Sequence, residues 1–246
     1  MFFFRNIQLC MPYQPCPFGC EMCIATAPTK FDNLYASNPE CYFRMLGAFL
    51  ESPGYVNVVL TGDTEPTLNK KWLKEVADFL KLHRQPLGFS NSSKPYRQVE
   101  IQTHNYAWHG MDGIDVNAFS ITSVREARII PTIRTDHGIN RLVLLGTKDL
   151  MRHVLDTDID VSAFAQVTIK ALQYAPSVGA AEVNHHIDEI RCDEELLEAV
   201  RAKFAELGLS VVLDLDCQDL GNTYHRYHVF REDGRMYESW DDSPNK

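Results

Sequence analysis

Three cysteines lie close together near the start of the chain, in the stretch CPFGCEMC. Cys16, Cys20 and Cys23 have the spacing C-x3-C-x2-C, which lets one short loop direct three sulfurs toward one point. Thiolates are soft ligands that hold zinc or iron–sulfur clusters. The spacing leaves three interpretations open: a zinc site completed by Cys10, Cys41 or a histidine, a [4Fe–4S] cluster with one iron lacking a protein ligand, or an accident of composition. Structural zinc favours two close ligand pairs, and no second C-x2-C occurs in the sequence.

The composition limits the class of protein. The chain has 246 residues, of which 45% are hydrophobic, so it can bury a sizeable core. The net charge of −9 disfavours broad binding to phosphate backbones. Seven cysteines in a chain of this size indicate reduced thiols rather than disulfides, and no apolar run is long enough to span a membrane. We therefore expect a cytoplasmic protein without a membrane anchor and with no strong signal for nucleic-acid binding.

The order of apolar runs predicts repeated βα units. The predicted strands are 5–10, 55–62, 98–103, 116–122, 140–146 and 166–173. The clearest helices between them are 38–52 and 69–83, with Asn38 and Asn69 as N-caps. About six such units give a parallel sheet, either curled into a partial barrel or doubly wound, and strands this apolar should be covered on both faces.

The pattern changes beyond residue 180. An amphipathic helix at 193–208 precedes a strand, and 224–240 reads as a β-hairpin with Asp233-Gly234 at its turn. We therefore divide the chain into a core at 1–180 and a C-terminal α/β extension at 181–246.

A second motif follows the second predicted strand, in the stretch GDTEPTL. In a parallel α/β layout its Glu65 lies at the carboxyl edge of the sheet, beside the cysteine loop, where a carboxylate can hold an ammonium group. The alternative is a helix-entry turn in which Thr64 or Thr67 caps backbone amides.

The two motifs together resemble those of radical S-adenosylmethionine enzymes. Cys16, Cys20 and Cys23 match the family's C-x3-C-x2-C signature, and residues 62–66 are similar to its Gly-Gly-Glu-Pro motif. The resemblance implies a partial (β/α)6 TIM-like barrel over residues 5–175. It also implies a [4Fe–4S] cluster on the three cysteines, with S-adenosylmethionine on the fourth iron. Reductive cleavage would give a 5′-deoxyadenosyl radical that abstracts hydrogen from a substrate.

The resemblance also implies a binding site for S-adenosylmethionine. The residues placed there are Met22, Gly62, Asp63, Thr64, Glu65, Thr103, Asn105, Ser120 and Gly146. Asp63 and Thr64 stand where the family prefers glycines. Residues 62–65 would face the ammonium group of the ligand. The polar residues after the third and fourth strands would face its carboxylate. Met22 and Gly146 would lie on the adenine side. For single polar residues at strand ends, capping or solvation is the competing interpretation.

Three functions remain open. The favoured one is a radical enzyme acting on a small-molecule or nucleoside-like substrate, with reduced flavodoxin or ferredoxin as the electron donor that the resemblance implies. The second is radical modification or activation of a peptide, protein or RNA. The third is a zinc- or cluster-stabilised binding protein without catalysis. The histidines, including His104 and His109 after the third strand, are expected to be structural or solvent-facing.

Overall fold

The computed structural model describes seven stretches of the chain, namely 5–20, 31–51, 55–62, 64–83, 98–171, 187–214 and 227–238. Three of the predicted site residues, Met22, Cys23 and Asp63, lie outside these stretches. The remaining predicted site residues all lie within them.

Within the described residues the strands form one sheet of nine. They are β1 (Arg5–Cys10), β2 (Tyr55–Thr61), β3 (Gln98–Thr103), β4 (Val116–Ile121), β5 (Ile139–Gly146), β6 (Gln166–Ala171), β7 (Ser210–Asp214), β8 (Tyr227–Phe230) and β9 (Met236–Tyr237). Their order across the sheet is β7-β6-β5-β4-β3-β2-β1-β8-β9. All neighbours are parallel except β8 and β9. The six predicted core strands and the parallel α/β class are confirmed, with strand ends shifted by at most two residues.

The helices follow the strands as the sequence predicts. They are α1 (Leu34–Ser37), α2 (Pro39–Glu51), α3 (Lys70–Leu82), α4 (Val124–Ala127), α5 (Lys148–Asp156), α6 (Ile187–Ile190) and α7 (Glu194–Glu206), with 3-10 turns at Pro66–Leu68 and Ile130–Thr132. Both predicted N-caps are confirmed, since Asn38 Oδ1 accepts from Cys41 N and Asn69 Oδ1 from Trp72 N, each at 3.0 Å. None of the helices that the structure describes is long and apolar enough to cross a bilayer.

The connecting helices pack on one face of the sheet. Strands β1 to β7 follow one another across the sheet in chain order, and right-handed crossovers of one sense place their helices on the same side. One hydrophobic cluster joins the two layers, with Ile7, Leu60, Ile101, Phe119, Leu144 and Ile169 from the strands and Leu46, Trp72, Val76, Leu150, Val200 and Phe204 from the helices. This cluster between the sheet and the helices is the hydrophobic core.

The opposite face of the sheet carries polar side chains among apolar ones such as Val116 and Val143, which are buried. Because strand side chains alternate between faces, this face carries Gln8, Glu100, Gln102, Ser120, Arg141, Thr168 and Lys170. Most of these residues are only half-buried, and the Arg141 side chain keeps 22% of its surface exposed. Coverage of this second face stays a prediction, because Val116, Ala118 and Glu100 are buried there beside half-buried residues. The dense Val, Ile and Leu content of the strands conceals the polar alternation in their sequence.

The tail beyond residue 180 adds strands to both ends of the core sheet. Strand β7 pairs with β6, and β8 pairs with β1. The predicted hairpin is confirmed by the antiparallel β8–β9 pair. Gly234 at its turn has φ of +76°, and a Cβ there would lie 2.7 Å from Leu34 Cδ2. Among the described strands the sheet is open, with β7 and β9 at its edges, so a closed barrel is not observed.

Candidate functional site at the carboxyl ends of the strands

The cysteine loop leaves β1 and lies against the end of β2. Met11 N donates to Thr61 O at 3.1 Å. Gly62 has φ of +146°, and a Cβ at this position would lie 3.0 Å from Met11 N. The Thr64 hydroxyl donates to Gln14 O at 2.7 Å. The second motif therefore contacts the cysteine loop directly, and its glycine allows the close approach.

The described cysteines of the loop present thiols at this edge of the sheet. Cys16 is exposed and Cys20 half-buried, and neither is in a disulfide. Thiols are the donor type that holds either zinc or an iron–sulfur cluster. The third predicted ligand, Cys23, lies outside the described residues.

Glu65 joins the ends of β2 and β3. It is buried, and its Oε1 accepts from Thr67 N at 3.1 Å, Thr67 Oγ1 at 2.7 Å and Thr103 Oγ1 at 2.6 Å. Its Oε2 accepts from His104 N at 2.9 Å. The motif thus includes a helix-entry turn, in which Glu65 rather than Thr64 or Thr67 accepts from the backbone. A contact of this carboxylate with a ligand ammonium stays a prediction.

Two predicted residues after β3 belong to the same network. Asn105 N donates to Thr103 Oγ1 at 2.8 Å, and Asn105 Nδ2 donates to Thr67 Oγ1 at 3.1 Å. Thr103 is fully buried. The structure therefore brings Glu65, Thr103 and Asn105 together through shared hydrogen bonds.

Ser120 and Gly146 lie farther along the same edge. Ser120, near the end of β4, accepts through its carbonyl from the Tyr106 hydroxyl at 2.9 Å. Gly146 ends β5, and its carbonyl accepts from Cys192 N at 3.1 Å. Within the described part of the chain, neither residue is hydrogen-bonded to the Glu65 network. Burial raises the pKa of the Cys192 thiol to about 11, as expected for an inert cysteine.

Glu126 is a site residue that the sequence reasoning missed. Its Oε2 accepts from Thr122 N at 2.6 Å, Thr122 Oγ1 at 2.8 Å and Ser123 N at 3.2 Å. Ser123 and Glu126 form a capping box at the start of α4. The S-x-x-E spacing in the sequence indicates this cap. It does not indicate that the other oxygen, Oε1, lies 4.0 Å from His104 Nδ1.

His104 completes the group. Its Nδ1 atom is buried and has no hydrogen-bond partner among the described residues, while 27% of the side chain stays exposed. Burial lowers the pKa of His104, against the opposing effects of Glu126 and Glu65, which favours the neutral imidazole. The ligand atoms of Cys20, His104 and Glu126 lie within 4.8 Å of one another. Burial, together with Glu126 and Cys20, also raises the pKa of the adjacent Tyr106 hydroxyl.

A charged network crosses the polar face of the sheet. Arg141 on β5 donates through Nη1 to Glu100 Oε2 on β3, and its Nε and Nη2 donate to Gln166 Oε1 at 2.9 and 2.7 Å. The small side chain of Ala118 lies in the register between β3 and β5. Burial raises the pKa of Glu100, although Arg141 and Lys170 oppose this. Arg141 and Lys170 are cationic side chains on this face, and Arg141 is paired there with Glu100.

The fold and the site define an α/β protein with thiols, an imidazole and carboxylates at the carboxyl edge of a parallel sheet. No model of a known protein family matches the chain, and no curated protein matches it significantly. The function is therefore argued from the motifs and their geometry.

Proposed function

We propose that this protein is a radical S-adenosylmethionine enzyme. In this proposal Cys16, Cys20 and Cys23 hold a [4Fe–4S] cluster and leave one iron open for S-adenosylmethionine. The observation that carries the proposal is the contact between the second motif and the cysteine loop, in which the Thr64 hydroxyl donates to Gln14 O, two residues before Cys16. This contact joins residues 50 positions apart in the sequence and supports a shared site for the two motifs at the carboxyl edge of the sheet.

The residues of this chain would position the cofactors. Gly62 allows the cysteine loop to approach β2, and the Glu65 network fixes the ends of β2 and β3. Backbone groups of residues 62–65 would then bind the ammonium group of S-adenosylmethionine, with Asn105 and Ser120 near its carboxylate. Cys16, Cys20 and Cys23 would hold the cluster, which when bound would pass an electron from the reductant to the sulfonium, and the protein would supply ligation, orientation and exclusion of water.

The polar face favours a small, polar substrate over a macromolecule. A sheet whose helices all lie on one side suits a partial barrel, with the other face lining its interior. Lys170 on that face suits a carboxylate or phosphate group of a substrate, whereas the Arg141 guanidinium is held by Glu100 and Gln166. Reduced flavodoxin or ferredoxin as electron donor, and a reducing cytoplasm that keeps the thiols available, belong to the same proposal.

Anaerobic reconstitution tests the proposal. The chain is loaded with iron and sulfide, and 5′-deoxyadenosine is measured after addition of S-adenosylmethionine and a reductant. Cys16→Ser, Cys20→Ser and Cys23→Ser should each abolish cluster absorption and 5′-deoxyadenosine release, because three thiolates are the whole protein anchor of the cluster. The matched control is Cys41→Ser, on α2, which should retain both.

Other results would contradict the proposal. If Cys41→Ser lost the cluster as completely as Cys16→Ser, the assignment of ligands would be wrong. If the wild-type chain held zinc through four protein ligands and released no 5′-deoxyadenosine, the third function, a metal-stabilised binding protein, would replace it.

A further inference from the structure

Three different metal-ligating groups converge where β1, β3 and β4 end. The Cys20 sulfur, a ring nitrogen of His104 and a carboxylate oxygen of Glu126 lie within 4.8 Å of one another. Zinc bound tetrahedrally by such ligands holds its donor atoms about 3.4–3.6 Å apart, as its bond lengths require. Side-chain adjustments of roughly 1 Å would therefore bring the three atoms to one ion.

The buried nitrogen of His104 is an independent sign of a missing ligand. Most buried polar atoms in proteins have a hydrogen-bond partner, but Nδ1 of His104 has none among the described residues. This atom lies 4.0 Å from Glu126 Oε1, too far for a hydrogen bond and wide enough for a bridging ion. A metal ion between them would satisfy the nitrogen.

The surroundings hold two of the three ligands in place. Thr122 and Ser123 donate three hydrogen bonds to Glu126 Oε2, which leaves Oε1 directed toward His104. The backbone N of His104 donates to Glu65 Oε2, which fixes the chain from which the imidazole projects. Supporting contacts of this kind orient ligands in metal sites.

We propose that Cys20, His104 and Glu126 form a binding site for one divalent transition-metal ion of the zinc type. One sulfur, one nitrogen and one oxygen ligand suit Zn²⁺ rather than Mg²⁺ or Ca²⁺, which prefer oxygen alone. A thiolate and a carboxylate neutralise the charge of the dication, so the half-buried complex carries no net charge. Binding releases the Cys20 proton to solvent. Three protein ligands leave a fourth position open, as in catalytic zinc sites.

The metal site has a consequence for regulation that rests on the proposed function. Cys20 cannot bind this ion and an iron of the cluster at the same time. Zn²⁺ at this site therefore excludes the cluster, and cluster assembly excludes Zn²⁺. Occupancy by Zn²⁺ holds the protein in a state without radical chemistry.

Titration of the cluster-free chain with Zn²⁺ alone tests the site. The chain is purified without air, and Zn²⁺ affinity is measured by calorimetry, with Co²⁺ absorption reporting thiolate ligation. We expect His104→Ala to weaken Zn²⁺ binding at least about tenfold and Cys16→Ser to change it by less than about threefold. His104→Gln, which keeps a polar side chain of similar size, should behave like His104→Ala, and circular dichroism checks the fold of each variant.

The outcomes separate the two proposals. If Cys16→Ser weakens Zn²⁺ binding and both His104 variants do not, the ion sits on the cysteine motif and the proposed site is wrong. Cluster content of the same variants is measured after reconstitution with iron and sulfide. A chain that binds Zn²⁺ through His104 but never assembles a cluster keeps the metal site and rejects the radical enzyme. If every His104 variant assembles a cluster and binds Zn²⁺ with unchanged affinity, the metal site is rejected and the radical enzyme is kept.

Discussion

Glu65 and Glu126 are two buried carboxylates next to His104, and they are used in different ways. Glu65 accepts four hydrogen bonds from protein groups on two strand ends. Glu126 concentrates three donors on Oε2, while Oε1 faces the His104 ring. Glu65, which belongs to the motif that resembles a cofactor site, is thus mainly a support for the fold, whereas Glu126, which belongs to a helix cap, directs an oxygen toward His104.

The difference shows how a carboxylate can be assigned a role from its partners. An ionised carboxylate has about four lone-pair positions for hydrogen bonds. Four donors from the protein occupy the lone-pair positions of Glu65, so replacing this carboxylate should mainly lower the stability of the fold. One oxygen of Glu126 still faces another ligand-type side chain, so its removal should mainly affect binding.

The largest effect is expected for Glu65→Gln. One amide oxygen cannot accept the bonds now shared by two carboxylate oxygens, and the new amide NH2 faces donors. We expect the free energy of unfolding to fall by about 2–4 kcal/mol, because each buried donor without an acceptor costs about 1–3 kcal/mol. Urea unfolding measures this loss. The control is Glu198→Gln, which removes an exposed pair with Arg201 and should cost less than about 0.5 kcal/mol. An equal loss in both variants would contradict a supporting role for Glu65.

A smaller effect on stability is expected for Glu126→Gln. The amide oxygen can still accept from Thr122 N and Ser123 N, so the cost in the free energy of unfolding should stay near 1 kcal/mol, typical of a perturbed helix cap. The affinity for Zn²⁺ should nevertheless fall at least about tenfold, because a neutral amide replaces a charged ligand. Calorimetry and urea unfolding on the same preparation separate the two effects. If Glu126→Gln strongly lowered the free energy of unfolding and left the Zn²⁺ affinity unchanged, Glu126 would be a support for the fold and not a metal ligand.

The smallest effect is the pH dependence that His104 adds to stability. Burial lowers the pKa of His104 in the folded chain, so the folded state binds fewer protons than the unfolded state below the ordinary histidine pKa of about 6.5. The free energy of unfolding should therefore decrease as the pH falls through this value. His104→Gln should reduce this slope, whereas His137→Gln, at an exposed histidine, should not. Equal slopes in both variants, measured by urea unfolding between about pH 8 and pH 5.5, would count against the buried imidazole.

Much of the fold could be predicted because its signals are local. Apolar runs marked the strands at 5–10 and 98–103 to the residue, and the side chains of Asn38 and Asn69 marked two helix starts. The Asp233-Gly234 turn identified the hairpin, because a glycine with positive φ serves such turns. The polar side chains on the second face of the sheet were not predicted, since their position depends on which alternate residues the helices leave uncovered.

The candidate site could be predicted only in part. The sequence placed Cys16, Cys20 and Glu65 at one edge of the sheet through the rule for parallel strands. His104 and Glu126 carry no distinctive spacing, and the S-x-x-E pattern of Glu126 indicates a helix cap and nothing more. Their meeting with Cys20 depends on the relative positions of loops after three strands, which local patterns do not contain.

The sequence by itself determined the α/β class, the order of strands and helices, and the types of ligand atom available, because these follow from hydrophobic period, caps and residue chemistry. The tertiary structure alone decided which face of the sheet the helices cover, where the tail strands add to it, and which atoms of the loops after β1, β3 and β4 meet. Those features arise from contacts between residues far apart in the chain. Only packing of the helices against the sheet fixes such contacts.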